Sequence, residues 1–132
     1  MHRVISQVLA VFVMLTFAAY ALAAGNLPPQ TSSRSGVTVK VTPRSAAGTD
    51  WEFEIVFDTH SQELKDDPMK SAVLAIDGGA TAAPIDWHGD GPGGHHRKGV
   101  LRFKVAASPA MLELRLHRPA ESEARIFRWQ LR

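Results

Sequence analysis

Residues 51–58, WEFEIVFD, place Trp51, Phe53, Ile55 and Phe57 on one side of an extended chain. An apolar side chain at every second residue is the pattern of a β-strand that buries one face of its sheet. An amphipathic helix would instead repeat its apolar residues at spacings of three and four. The stretch therefore predicts a half-buried strand, and the rest of the chain decides how many such strands accompany it.

Strand patterns of this kind recur along the chain, separated by Gly, Pro and Asp turns. The other predicted strands are residues 37–43, 71–77, 84–87, 100–105, 111–117 and 125–131, of which 84–87 carry the weakest pattern. No sustained helical period accompanies them. Seven short strands predict an all-β fold, a seven-stranded antiparallel two-sheet sandwich of immunoglobulin-like type. A small barrel is the alternative.

The N-terminal segment has the features of an export signal. A short basic start precedes an apolar run that ends in small residues, and Ala21 and Ala23 form the A-x-A pattern that signal peptidase cleaves. We therefore expect residues 1–23 to be a signal peptide and the mature protein to be periplasmic or extracellular. The alternative is an uncleaved anchor, because residues 4–24 are just long enough to span a bilayer.

The chain beyond the predicted signal has the size of one domain. Residues 24–36, rich in Pro, Ser and Gly, predict a flexible linker, and residues 37–132 the sandwich. The chain has no cysteine, which excludes disulfides, thiolate metal ligands and a lipidated cysteine. Its net charge is +2, and about +1 without Arg3, so we expect no nucleic acid partner. Cleavage of the signal would remove the apolar run, so we expect no membrane span in the mature protein.

Residues 87–97, WHGDGPGGHHR, hold the most distinctive chemistry in the chain. Four glycines and a proline predict a loop with unusual backbone angles. Imidazole binds zinc and copper well, so His95 and His96, together with His88, Asp90 or His60, are candidate metal ligands.

A structural role for the same loop stays open. Adjacent histidines in an extended chain point to opposite sides, so that only one of them would face a given metal. In the structural alternative, His95 and His96 bind backbone carbonyls, and Arg97 pairs with Asp90 or Asp58.

The string W-x-G-D-x-P-G-G-H-H-R-x-G-V-L-x-F, here residues 87–103, resembles a signature of small, exported, uncharacterised prokaryotic domains. Residues 58–61, DTHS, and the F-x-W-x-L of residues 127–131 resemble further parts of that pattern. The resemblance covers nearly all of the predicted domain and implies a shared fold. It implies no activity.

We do not expect an enzyme. Asp58, His60 and Ser61 are residue types used in nucleophilic catalysis, but they lie too close in sequence to form a spatial relay, and the chain has no G-x-S-x-G motif. Two functions remain for an exported β-sandwich. One is a module that binds zinc or copper through the histidine loop, and the other is a non-metal envelope protein-interaction or adhesion module in which the loop is structural.

Strand parity makes a geometric prediction. If all seven strands cross the full sandwich, the second, fourth and sixth connections lie at the same end. These connections hold His60, the histidine loop of residues 88–96, and the pair Glu121 and Glu123. We therefore expect His60 to lie near the double histidine, despite about 35 intervening residues.

Overall fold

The computed structural model describes residues 27–47, 49–106 and 108–131, apart from the side chains of residues 45–47. The predicted signal peptide, residues 1–23, and the first three residues of the predicted linker lie outside this part of the chain. Within it, no helix is long and apolar enough to cross a membrane.

The described residues form nine strands and one helical turn. The elements are β1 (Gln30–Arg34), β2 (Val37–Ala47), β3 (Asp50–Thr59), α1 (Pro68–Ser71), β4 (Ala72–Ile76), β5 (Thr81–Ala82), β6 (Asp86–Gly89), β7 (His96–Lys104), β8 (Met111–Leu116) and β9 (Arg125–Gln130). The all-β class is confirmed. Strands β2–β4 and β6–β9 match the seven predicted segments, and β1 and β5 are additional.

Two antiparallel sheets contain these strands. The five-stranded sheet has the order β1-β2-β3-β7-β6, and the four-stranded sheet has the order β5-β4-β8-β9. The strand that contains residues 51–58 is the centre of the larger sheet. Phe53 lies opposite Pro43 of β2 on one side and Leu101 of β7 on the other.

Side chains from both sheets form one core. Phe53, Ile55 and Phe57 are fully buried, and the aromatic ring of Phe53 lies 5.4 Å from that of Trp129 on the opposite sheet. The smaller sheet contributes Leu74, Leu112, Leu114, Leu116 and Phe127. The alternation in the sequence thus correctly identifies the inward faces, and the two sheets enclose the core as in a sandwich.

Strand β1 lies inside the segment predicted to be a flexible linker. It pairs with β2 across a tight turn in which Ser35 and Gly36 both have positive φ, 53° and 76°. Arg125 donates hydrogen bonds to the main-chain carbonyls of this hairpin at Ser32, Arg34 and Val37, over 2.8–2.9 Å. The hairpin is therefore ordered by a residue about ninety positions away, which no local pattern could indicate.

The side chain of Gln30 closes one side of the sandwich. Its amide nitrogen donates to the main-chain carbonyl of Arg128, and its amide oxygen accepts from the Arg128 N–H over 3.0 Å. Nearby, the Trp129 indole donates to the Pro28 carbonyl over 2.8 Å. These contacts join the outer strand of one sheet to the outer strand of the other.

Replacing Trp129 with alanine should lower the free energy of unfolding by about 3–5 kcal/mol, because the indole is 2% exposed and packs between the sheets. The matched control is Ile126→Ala on the same strand, where the side chain is 47% exposed and the expected change is within about 0.5 kcal/mol. Urea unfolding of both variants measures the difference. Equal effects would contradict the assignment of inward and outward faces.

Candidate functional site

The histidine loop is shorter than predicted, because His88 lies in β6 and His96 in β7. The connection between these strands, residues 90–95, lies against the connection between β3 and α1. Thr59 N–H donates to the His95 carbonyl over 2.9 Å, and Leu64 exchanges backbone hydrogen bonds with Gly93 and Gly94 over 2.6 and 3.0 Å. Gly93 and Gly94 have positive φ, 109° and 71°, which confirms the predicted unusual backbone. The two connections share one end of the fold, as strand parity predicts.

The predicted metal ligands do not form a convergent set. His60, His88 and His95 are exposed. His96 Nδ1 lies 2.5 Å from Asp58 Oδ1, and the Asp90 carboxylate accepts from the Lys98 N–H over 2.9 Å. Among the described residues, no group of three or more His, Asp or Glu side chains is arranged to hold a metal ion.

The prediction that Arg97 forms an ion pair with Asp90 or Asp58 is wrong. Arg97 instead donates to two main-chain carbonyls, that of Asp66 over 2.6 Å and that of Asp90 over 3.1 Å. Asp58 is taken by His96, and the Asp90 carboxylate by a backbone N–H. Arg97 therefore fixes the two connections through their backbones, while its charge has no carboxylate partner within the described part of the chain.

A cleft of about 310 Å³ opens between these connections. Its lining residues are Lys65, Asp66, Asp67, Pro68, Trp87, Gly89, Asp90, Gly91, Pro92 and Arg97. The indole, the two prolines and the guanidinium provide apolar and flat surfaces together with one buried cation. Such a combination is typical of small-ligand sites, and the volume lies at the lower end of their range.

Two facing glycines shape the wall of the cleft: Gly89 allows the β6 and β7 backbones to approach closely, and Gly99 makes room for the indole of Trp87. Gly89 of β6 lies directly opposite Gly99 of β7, and a Cβ on Gly99 would lie 2.5 Å from the ring of Trp87. The indole N–H of Trp87 donates to the Asp90 carbonyl over 3.1 Å. The indole of Trp87 therefore packs directly on Gly99 and is fixed at its edge by a hydrogen bond.

Arg97 forms part of the cleft lining while being only 2% exposed. Its guanidinium carbon lies 5.9 Å from the centre of the Phe57 ring, so one face of the cation is covered. The Nε–H of Arg97 is buried and has no hydrogen-bond acceptor. A buried donor left without an acceptor is uncommon and calls for a reason.

A network of buried ion pairs lies at the same end of the fold. Asp66 accepts two hydrogen bonds from Arg118, both of 2.9 Å, with neither side chain more than 6% exposed. Glu121 accepts from Arg118 and Arg125, and also from Arg34 of β1. The network thus ties the connection after β8 to the connection after β3 and to the first hairpin.

Arg125 uses all its hydrogen-bonding capacity. A guanidinium has five N–H donors. Two of those of Arg125 go to the Glu121 carboxylate and three to main-chain carbonyls of the first hairpin. The hydrogen bonds of Arg125, with those of Arg34 and the charge of Arg118, lower the pKa of Glu121 from 4.5 to about 2.

Strand parity predicts Glu121 at this end of the fold, but no prediction covered the roles of Asp66, Arg118 and Arg125. A signal was present for two of the arginines at this end. Arg125 has the inward parity of Phe127 and Trp129, and Arg97 has that of Leu101. A charged residue at an inward strand position predicts a buried polar network, because an isolated charge there is too costly.

Comparisons with known proteins assign no family to the chain. No model of a protein family matches the chain, and no curated protein resembles it significantly. A crystal structure of a DUF4426 family protein from Pseudomonas aeruginosa PAO1 aligns with a TM-score of 0.47 and 9% sequence identity, over 76% of this chain and 92% of that one.

Replacing Glu121 with glutamine should destabilise the protein at neutral pH by about 3–5 kcal/mol, the usual cost of breaking a buried ion pair. Because the folded pKa is depressed, the contribution of Glu121 is fully present above pH 4.5 and is lost as the pH falls towards 2. The difference in the free energy of unfolding between wild type and Glu121→Gln should therefore shrink by about 3 kcal/mol as the pH falls from 4.5 to 2. Urea unfolding from pH 7 to pH 2 measures it.

The control for this experiment is Glu123→Gln in the same connection. Glu123 contributes its main-chain carbonyl to Arg34, which the substitution retains, and its side chain is exposed. We expect almost no change in stability at any pH. An effect of Glu123→Gln as large as that of Glu121→Gln would show that overall charge repulsion at acid pH, rather than the buried ion pair, causes the loss of stability.

Proposed function

We propose that this chain is an exported, non-enzymatic β-sandwich module that binds a ligand in the cleft between the connections after β3 and after β6. The observation that carries the proposal is the composition of that cleft, in which Trp87, Pro68 and Pro92 surround a buried arginine with an unused donor. The histidine loop then has a structural role, since its backbone holds the neighbouring connection in place.

The strand order supports an immunoglobulin-like type for this sandwich. In constant-type immunoglobulin domains, strands A-B-E-D form one sheet and C-F-G the other. With β2, β3, β4, β6, β7, β8 and β9 named A to G in chain order, the larger sheet has the order A-B-E-D and the smaller one C-F-G. Strand β1 then extends the first sheet beside A, and β5 extends the second beside C.

Export is proposed from the N-terminal segment alone, which lies outside the described residues. The apolar run and the A-x-A pattern of Ala21 and Ala23 support a cleaved signal peptide and a periplasmic or extracellular location. In either compartment, an envelope protein is a natural partner for a small module of this kind.

Binding is favoured over catalysis by the residues of the cleft. Its lining contains neither serine nor histidine, and the carboxylate of Asp66 is occupied by Arg118. The Asp58–His96 pair, which has the residue types of a relay, is more than half exposed. Exposed pairs of this kind contribute little to stability and do not provide the dry, oriented setting of a catalytic site.

Zinc or copper binding through the histidine loop is the second candidate. It is favoured by the backbone contact between Thr59 and His95, which brings the connection of His60 beside that of His95 and His96.

Titration of untagged protein with zinc or copper should give no stoichiometric site, because Asp90 and His96 already have protein partners. Isothermal calorimetry measures this, with a His95→Ala/His96→Ala double variant as the comparison and His117→Ala as the matched control. Tight binding with a one-to-one ratio that the double variant abolishes, and His117→Ala retains, would instead establish the metal module.

Filling the cleft should abolish ligand binding without unfolding the protein. Gly91 lines the cleft, has open space where a Cβ would project and lacks a left-handed φ, so Gly91→Leu can obstruct the cleft at little structural cost. We expect small ligands that shift the Trp87 indole NMR signal in wild type to lose this effect in Gly91→Leu.

The matched control for that experiment is Gly79→Leu, in the turn after β4. Gly79 also lacks a left-handed φ and has only one distant neighbour at the Cβ position, 3.9 Å away. This variant should bind as wild type does. The proposal is overturned if no compound in a panel of carboxylates, amides, sugars and short peptides perturbs cleft residues, or if Gly91→Leu binds normally.

A further inference from the structure

The three buried arginines of the described residues differ in how their charge is compensated. Arg118 faces the carboxylates of Asp66 and Glu121, and Arg125 faces that of Glu121. Arg97 is equally buried but contacts only the neutral carbonyls of Asp66 and Asp90. A buried cation without a counter-charge is costly, whereas one that pairs with an anion can be favourable.

The donors of Arg97 are also incompletely used. Two of its five N–H groups have acceptors, one on each terminal nitrogen, and the buried Nε–H has none. In Arg125 all five are used. Arg118 uses three, all of them to carboxylates, so Arg97 alone of the three has no hydrogen bond to an anion.

We propose that the cleft binds the carboxylate group of a small organic acid, with Arg97 as its counter-charge. This inference rests on the proposed function of the cleft and names its ligand class. Hydrogen bonds between a guanidinium and a carboxylate are among the strongest that a side chain can form. The flat apolar part of the acid packs against the indole of Trp87 and the rings of Pro68 and Pro92.

The other charges at the cleft are compatible with an acid. The Asp66 carboxylate is neutralised by Arg118, and that of Asp90 accepts a backbone N–H. Asp67 accepts from the Met69 N–H at the start of α1 and lies 3.9 Å from Lys70. Lys65, a second cation in the lining, is largely exposed and lies 3.4 Å from the Glu63 carboxylate, so Arg97 is the cation of the cleft that has no carboxylate beside it among the described residues.

The size of the cleft limits the ligand. A volume of about 310 Å³ accommodates one aromatic or branched acid, or the last residue of a peptide with its C-terminal carboxylate. Both sources present the same chemistry, namely a carboxylate attached to an apolar body.

The first experiment compares ligands that differ only in charge, on the wild-type protein. Phenylacetate and phenylacetamide are titrated while the Trp87 indole NMR signal is followed. A charge-assisted hydrogen bond is worth about 1.5–3 kcal/mol, so the acid should bind about 10-fold to 100-fold more tightly than the amide. Equal binding of acid and amide in the cleft would overturn the carboxylate inference while leaving the proposed function intact.

The second experiment changes the protein. Arg97→Met retains an apolar chain against Phe57 and removes the charge, so the variant should bind acid and amide equally. The matched control is Arg102→Met on the same strand, where the side chain is partly exposed and lies near Asp50 and Asp86. It should keep the preference for the acid, and loss of the preference in both variants would overturn the assignment to Arg97.

The third comparison separates the two sources of the carboxylate. A pentapeptide that ends in phenylalanine is titrated with a free and with an amidated C-terminus. Tighter binding of the free peptide than of phenylacetate identifies a protein terminus as the ligand, and the reverse order identifies a free acid. If neither the acids, the amides nor the peptides perturb the cleft, the proposed function fails together with the inference. If Arg97→Met does not fold, the acid–amide comparison on wild type decides the question.

Discussion

The buried ion pair between Arg125 and Glu121 is the interaction on which this end of the protein depends. Arg125 orders the first hairpin by donating to three main-chain carbonyls, and Glu121 also accepts a hydrogen bond from Arg118. Arg118 in turn donates to the Asp66 carboxylate, and the main-chain carbonyl of Asp66 accepts a hydrogen bond from Arg97. This relay, the series of ion pairs and hydrogen bonds from Arg125 to Arg97, therefore sets the position of the cleft.

This relay takes a role that disulfides have in many small domains. The chain has no cysteine, yet three connections and one hairpin must be fixed relative to one another. Buried ion pairs gain little net stability, because desolvation offsets most of their attraction, but they are demanding in geometry. The apolar core between the sheets supplies the stability, and the charged network determines where the connections lie.

The sequence predicts the core and its faces well because alternation is a local signal. The alternate apolar residues of two strands are buried where their parity places them, namely Trp51, Phe53, Ile55 and Phe57 in β3 and Leu112, Leu114 and Leu116 in β8. Strand parity also brings His60 and His95 to one end, since it depends only on counting strands. The first hairpin and the cleft could not be predicted, because they depend on pairings of high sequence separation, such as Arg125 with Ser32 and Gly89 with Gly99.

In the histidine loop, composition and strand parity point to different residues. His95 and His96 are conspicuous in the sequence, yet the residue beside them, Arg97, is the one that faces inward. Composition indicates which side chains are chemically versatile, but strand parity indicates which ones the fold removes from water. For short glycine-rich loops that run into a strand, parity is the more informative of the two.

The amide of Gln30 pairs with Arg128 as a neighbouring strand would, across 98 positions of sequence. The strands at the two ends of the described fold are thus joined, and neither can fray without breaking this junction. We expect the domain to unfold as one cooperative unit. Junctions between distant segments raise the contact order, and a high contact order slows folding. The junction between Gln30 and Arg128 therefore forms late in folding. Until it forms, the backbone of β9 beside Arg128 is exposed and can pair with a strand of another molecule.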